Sequence, residues 1–212
     1  MIKTGIEQLA AAPSARLKGK RLGLLCNQAS TGSNFRHSRD IVNSVLPEQL
    51  TCLFSPQHGF FADKQDNMIE SGHMKDRTTG LPLYSLYGKT RKPTGEMFKD
   101  LDVLLVDLQD VGTRVYTFIH TVAYCLEAAS EYGKKVLILD RPNPIGGELV
   151  EGNLIEDDYR SFVGLYPIPM RHGLTMGEIA LLFNDHFEIN AELEVIKMAG
   201  WRREMHFDDT GL

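Results

Sequence analysis

Cysteine is scarce in this 212-residue chain, with three copies, Cys26, Cys52 and Cys125, each set in an apolar run. An odd count in core-like settings argues against a disulfide framework and for buried free thiols. None has the cationic neighbours that would turn a thiol into a reactive thiolate. Basic charge is in deficit as well: 23 Lys and Arg stand against 28 Asp and Glu, giving a net charge of -5. The positive footprint of nucleic-acid binding is therefore missing. No apolar stretch exceeds strand length, so none is a candidate membrane span, and residues 1–20 lack the basic-then-apolar order of a signal peptide. These features lead to the expectation of a reducing, cytoplasmic setting. There is no G-x-S-x-G elbow of an ordinary serine hydrolase. Ile145-Gly146-Gly147-Glu148 follows a loop rather than a strand and opens no helix, so it does not read as a phosphate loop. No pair has HxxxH or CxxC spacing, and no metal is expected; a weaker reading would gather a divalent cation with His58, Asp107, Asp110, Asp140 and His172.

What is present is a recurrent pattern. Four apolar runs each end in a polar loop: RLGLLC before Asn27-Gln28, LTCLF before Ser55-Pro56-Gln57-His58-Gly59, LDVLLV before Asp107-Leu108-Gln109-Asp110, and KVLIL before Asp140-Arg141-Pro142-Asn143-Pro144. Near-continuous apolar strands alternating with helices mean parallel pairing covered on both faces. The predicted fold is thus α/β, a Rossmann-like open, mostly parallel sheet with long irregular insertions at the strand C-terminal ends. In such sheets ligands bind outside the carboxyl ends of the strands.

Helices are predicted over Ile6 to Ala11, from a Ser38 cap to Val45, over Thr94 to Lys99, over Tyr116 to Tyr132 with Gly133 as the stop, and from the Thr175 cap to about Phe187. Thr175 and Glu178 have capping-box spacing. Strands are predicted at Thr51 to Phe54, Val103 to Val106, Val136 to Leu139 and Leu193 to Ile196, besides the first run. The stretch from Gly59 to about Arg91 reads as irregular and longer than an ordinary connection, as a lid or binding loop would be. Residues 145–174 also read as irregular. The expected organisation is one domain over 1–212, with 145–212 contributing a small subdomain.

Candidate chemistry concentrates in the strand-end loops. Asp107, Gln109, Asp110, Arg114 and Tyr116 form the densest group, at a helix start that favours anions and acceptors; the plainer reading is that the aspartates cap the loop and the helix. His58, beside Gln57, gains functional weight from its strand-end position, although a lone His is commonly an ordinary hydrogen-bonded residue. Asp140, Arg141 and Asn143 sit in a loop stiffened by two prolines, which lowers the entropy lost on binding. Asn27 closes the first strand. Arg171 and His172 precede the capped helix, either as ligand contacts or as supports for its start. Tyr84, Tyr87, Phe60, Phe61 and Tyr166 offer apolar walls for a sugar ring, with most of them expected to be packing.

Six ordered segments carry a resemblance: Leu53-Phe54-Ser55-Pro56-Gln57-His58-Gly59, Gly80-Leu81-Pro82-Leu83-Tyr84-Ser85-Leu86-Tyr87-Gly88, Lys89-Thr90-Arg91-Lys92-Pro93-Thr94, Asp107-Leu108-Gln109-Asp110-Val111-Gly112, Leu139-Asp140-Arg141-Pro142-Asn143-Pro144, and Gly164-Leu165-Tyr166-Pro167-Ile168-Pro169-Met170-Arg171-His172-Gly173. Together they resemble the NamZ-type exo-β-N-acetylmuramidases, long catalogued as a domain of unknown function. The resemblance implies release of N-acetylmuramic acid from the non-reducing end of peptidoglycan fragments, without a cofactor and with a glycan or muropeptide as partner. It also implies that this chain is the family's N-terminal Rossmann-like domain without its C-terminal lobe. On this reading Gln57, His58, Asp107, Asp110 and Tyr116 are the catalytic candidates. Asn27, Gln109, Arg114, Asp140, Arg141, Asn143, Arg171 and His172 would bind substrate, and one aspartate would carry a raised pKa for acid work. One departure matters. The family motif usually reads Ser-Pro-Glu-His-Gly, and this chain places Gln57 where that acid stands. Glutamine cannot relay a proton, so Asp107, Asp110 or Glu70 would replace it, or the chemistry would differ, or the chain would only bind. The run Lys64-Gln65-Asp66-Asn67-Met68 is expected to accompany the Gln form in a subgroup.

Overall fold

The computed structural model describes residues 1–13, 15–61 and 72–212; Glu70 and the Lys64 to Met68 run lie outside the described residues. Those described form one seven-stranded sheet in the order β3-β4-β2-β1-β5-β6-β7. The strands are β1 (Leu22–Leu25), β2 (Leu50–Ser55), β3 (Met74–Lys75), β4 (Pro82–Ser85), β5 (Val103–Val106), β6 (Lys135–Leu139) and β7 (Glu192–Ile196). All pairings are parallel except β3 with β4, which is antiparallel at the edge.

Strand side chains divide by parity, as the pleat requires. Leu25, Phe54, Leu104, Val106, Val136 and Ile138 face one core, beneath α3 (Gly95–Phe98), α4 (Phe118–Tyr132) and α5 (Met176–Leu181). Leu22, Leu24, Leu53, Leu105, Leu137 and Leu139 face the other, beneath α1 (Gly5–Ala11) and α2 (Ser38–Val45). Burial on both faces explains why the strands read as unbroken apolar runs rather than alternating ones. Gly5 is required where α1 crosses β6, because a Cβ there would lie 2.4 Å from the Leu139 carbonyl carbon.

Three expectations change. The stretch from Gly59 to Arg91 contains β3 and β4; β4 is short and starts with proline, which hid it. α2 is capped by His37, whose Nδ1 accepts the Arg39 N–H at 3.1 Å, rather than by Ser38. Ser38 is instead the first helical residue, with its hydroxyl turned to Ser30 and Asp107. α4 begins at Phe118, two residues inside the expected start. The Thr175–Glu178 capping box is present, and the helix it starts passes into a π-helical turn, Leu182–His186, before Phe187. A short helix, α6 (Phe207–Thr210), closes the described chain. The three cysteines are buried and free. Burial pushes the Cys52 thiol up to about 12, and burial likewise raises Cys26 and Cys125. Among the described residues no helix is long and apolar enough to cross a membrane.

Candidate active site

The chain runs outward from β1 through β2 to β4 on one side, then crosses to β5, β6 and β7 on the other. The order reverses between β1 and β5, where a ligand crevice is expected in an open parallel sheet. Protein fills that place. Asp107, fully buried at the end of β5, receives Arg141 Nε on one oxygen at 2.5 Å and Arg141 Nη2 on the other at 2.9 Å. The Ser38 hydroxyl also donates to it, and the Ser30 hydroxyl donates to the Asp107 carbonyl. Arg141 is 5% exposed. Burial works against its charge, but Asp107 more than compensates and its pKa is raised. This pair ties β5 to β6 and to the β1 loop, leaving no face for a ligand. Asp107 and Arg141, read from sequence as catalytic and substrate-binding candidates, are internal partners.

Most other polar candidates are also spent within the fold. The Asn27 carboxamide oxygen accepts from the Ala29 N–H and turns the β1 loop. Gln109 Nε2 bridges the Asp110 and Pro142 carbonyls, and Asn143 links the Ile145 N–H to the Leu174 carbonyl. Gly112, at φ +84, permits this packing: a Cβ would stand 2.4 Å from Asn143 Oδ1. Arg114 is buried and donates to the Asn153 and Ile168 carbonyls; Arg171 pairs with Glu151 and the Ile145 carbonyl. Asp140 accepts from the Gly177 and Arg141 N–H groups and the Thr175 hydroxyl, holding the start of α5. Its carboxyl is raised to about 6, chiefly by burial and against those hydrogen bonds. The aspartate with the raised pKa is thus a helix anchor. Among the described residues, no three His, Cys, Asp or Glu side chains gather as metal ligands would.

The open site lies to the side, over β2, β4 and β5. A pocket of about 660 Å³ is walled by Gln57 and His58 after β2, Tyr87 and Arg91 after β4, Val115 to Thr117 before α4, and Ser161 to Val163 from the long β6–α5 connection. That volume is typical of small-ligand sites. His58 has a left-handed backbone, φ +70, next to Gly59 at φ +78. A non-glycine residue held there costs on the order of 1 kcal/mol, a strain common at binding loops. Gln57 is 8% exposed, and its Oε1 is buried without a hydrogen-bond partner among the described residues. The Tyr116 phenol has its pKa raised by burial and then by the charge of Asp110.

Asp110 adjoins this wall. Its Oδ2 accepts the Gly112 N–H at 2.7 Å and faces His172 Nε2 at 3.2 Å, while Oδ1 is buried without a hydrogen-bond partner among the described residues. His172 Nδ1 accepts the Leu174 N–H, which leaves the proton on Nε2 to donate to Asp110. Unmet acceptors of this kind cost about 1–3 kcal/mol each, and Gln57 and Asp110 carry two of them close to the same wall. Of the aromatic candidates, Tyr87 lines the pocket. Tyr84, Phe60 and Tyr166 pack elsewhere, against Phe54, His37 and Phe183 respectively, and Phe61 packs on Phe60.

Arg91 and Phe162 were not anticipated as site residues. Reading Leu83 to Leu86 as a strand would have made Tyr87 to Arg91 a strand-end loop and exposed the first. No comparable signal marks Phe162. Three further cavities among the described residues are smaller: one of about 290 Å³ at the opposite sheet edge, where Lys135 pairs with Glu194, one of about 390 Å³ by α5 and Trp201, and one of about 270 Å³ beside α1 and α2.

Residues 22–212 match the family model described as "Exo-beta-N-acetylmuramidase NamZ, N-terminal". The chain is 52% identical over 211 residues to the peptidoglycan beta-N-acetylmuramidase NamZ of Bacillus subtilis (strain 168), covering 100% of this chain and 51% of that protein. Two crystal structures of DUF1343 family proteins from Bacteroides fragilis NCTC 9343 superpose on it. One has a TM-score of 0.92 at 46% identity, covering 100% of this chain and 53% of the other; the second has 0.80 at 34%, covering 97% and 54%. The chain spans about half the length of the curated relative it matches.

Proposed function

This chain belongs to the NamZ family, matching its N-terminal region, and on that premise we propose that it serves in releasing N-acetylmuramic acid from the non-reducing ends of peptidoglycan fragments. The observation that carries the reading is the pocket at the strand C-terminal edge, which places Gln57, His58 and Tyr116 on one wall with Asp110 adjoining it. Hydrolysis of a glycoside needs a proton for the leaving oxygen and a means of stabilising positive charge at the anomeric carbon. Gln57 supplies no proton. His58, on the pocket wall, has an imidazole able to give and take back a proton, and it is assigned the proton donor. Asp110, buried with one oxygen uncompensated, is assigned the second task. Its charge acts through a low-dielectric interior and does not require contact with the sugar.

The substrate's own acetamido oxygen attacks the anomeric carbon while the bond to the leaving oxygen breaks and His58 gives that oxygen its proton. Water then opens the cyclic intermediate, restores the acetamide and returns a proton to His58. Gln57 and Tyr116 hold the sugar by hydrogen bonds. The test is turnover of 4-nitrophenyl β-N-acetylmuramide by the chain as it stands and by Gln57→Glu. Release of nitrophenol with Gln57 is the expected result. A specific observation, the neutral Gln57, favours one other reading, a binding module for the same sugar. Turnover appearing only in Gln57→Glu would select that reading, and activity in neither form would overturn the substrate assignment.

A further inference from the structure

The three arginines read from sequence as ligand contacts, Arg114, Arg141 and Arg171, all donate to protein carbonyls or carboxylates, with Nε of Arg114 and of Arg171 buried and without a hydrogen-bond partner among the described residues. Arg91 is different. Its guanidinium lies 4.2 Å from the centre of the Phe162 ring and 5.2 Å from that of Tyr87. Among the described residues it has neither an ion pair nor a hydrogen bond. Phe162 is itself fixed, stacked on Tyr124 with 9° between the ring planes and close to Tyr87. The aromatic shelf therefore holds a planar cation on the pocket wall while leaving its N–H groups unspent among the described residues. Stacking of this kind holds a guanidinium without neutralising it.

The pocket wall carries no aspartate or glutamate among its described residues, so Arg91 sets its charge. A neutral N-acetylhexosamine offers such a group nothing that water does not. An N-acetylmuramyl residue differs from it by a lactyl ether that ends in a carboxylate, and a guanidinium matches a carboxylate with two parallel hydrogen bonds. We propose that Arg91, held by Phe162 and Tyr87, reads the substrate's carboxylate and selects muramyl over neutral hexosaminyl ends. The proposal rests on the muramidase reading above. Arg91 acts on binding, so its effect falls on KM rather than on kcat.

The experiment compares 4-nitrophenyl β-N-acetylmuramide with the same glycoside whose lactyl carboxylate is capped as a methyl amide, using the chain and its Arg91→Gln and Arg91→Lys variants. The expected result is a preference for the acid of about tenfold or more in the unaltered chain. Arg91→Gln should abolish it through KM, with kcat kept within about threefold and an unchanged melting temperature, and Arg91→Lys should restore part of it. An acid-to-amide ratio unaltered by Arg91→Gln would overturn the proposal. If the chain turns over neither glycoside, the catalytic reading fails separately, and calorimetry decides on Arg91. Tighter binding of N-acetylmuramic acid than of N-acetylglucosamine, lost in Arg91→Gln, supports the assignment; equal binding of the two sugars by the unaltered chain refutes it.

Discussion

The strand C-terminal edge of this sheet has two halves built from the same kinds of residue and used in opposite ways. Over β1, β5 and β6, Asp107, Arg141, Asp140 and Asn143 are buried and supplied with partners from neighbouring loops. Over β2, β4 and β5, and among the described residues, Gln57 and Asp110 keep a buried oxygen without a partner, His58 holds a left-handed backbone, and Arg91 rests on rings with no counter-charge. The contrast separates residues that hold the edge together from residues with capacity left for a ligand. Charge at a strand end does not tell them apart. Satisfaction and placement together do: a polar group whose partners are already in the protein has little left to offer a substrate, while an unmet one has capacity for a ligand where it stands at or beside the pocket, as Gln57 Oε1 and Asp110 Oδ1 do and Arg171 Nε and Trp201 Nε1 do not.

The largest effect that would break this comparison belongs to the saturated half. Arg141→Ala leaves the Asp107 carboxylate buried and unpaired, and removing one partner of such a pair costs about 3–5 kcal/mol. Urea denaturation should show the loss, and a variant as stable as the parent would mean the pair is not structural. A smaller effect comes from Asp140. Its folded-state pKa, about 6, lies above the ordinary carboxylate value. The stability it contributes is fully present below the unfolded pKa and is lost as pH rises through about 4 to 6, because the folded state binds the extra proton. Some two pKa units correspond to at most ~3 kcal/mol. Denaturation of the chain and of Asp140→Asn across that range should show the difference between them narrowing as pH rises. A difference independent of pH would contradict the placement of Asp140 as a buried anchor.

Much of the fold was legible in the sequence because strands buried on both faces are apolar at their centres, as β1, β2, β5 and β6 are; β7, at the sheet edge, alternates Glu192 and Glu194 with Leu193 and Val195. β4 was not, since four residues starting at Pro82 and flanked by polar turns carry no run to recognise. His37 displaced Ser38 as the cap because the Ser38 hydroxyl serves the Asp107 cluster, a partner 69 residues away. The site was legible as an edge, and Gln57, His58 and Tyr116 lie on the pocket wall, while Arg91 and Phe162 belong to loops whose preceding strand or packing went unread. The pairing of Asp107 with Arg141 was hidden for a physical reason. The two are 34 residues apart, and nothing local to either shows that the other neutralises it. Family resemblance located the motifs without distinguishing the two uses.

The most direct test sets Asp107→Asn beside Asp110→Asn, two strand-end aspartates three residues apart, each measured for melting temperature and for kcat on 4-nitrophenyl β-N-acetylmuramide. Asp107→Asn should lower the melting temperature markedly while the folded fraction keeps its kcat. Asp110→Asn should melt within a few degrees of the parent and lose about 100-fold in kcat, the scale of removing one electrostatic stabiliser. The opposite pattern, a stable but inactive Asp107→Asn with a fully active Asp110→Asn, would contradict the division of the edge into a structural and a functional half.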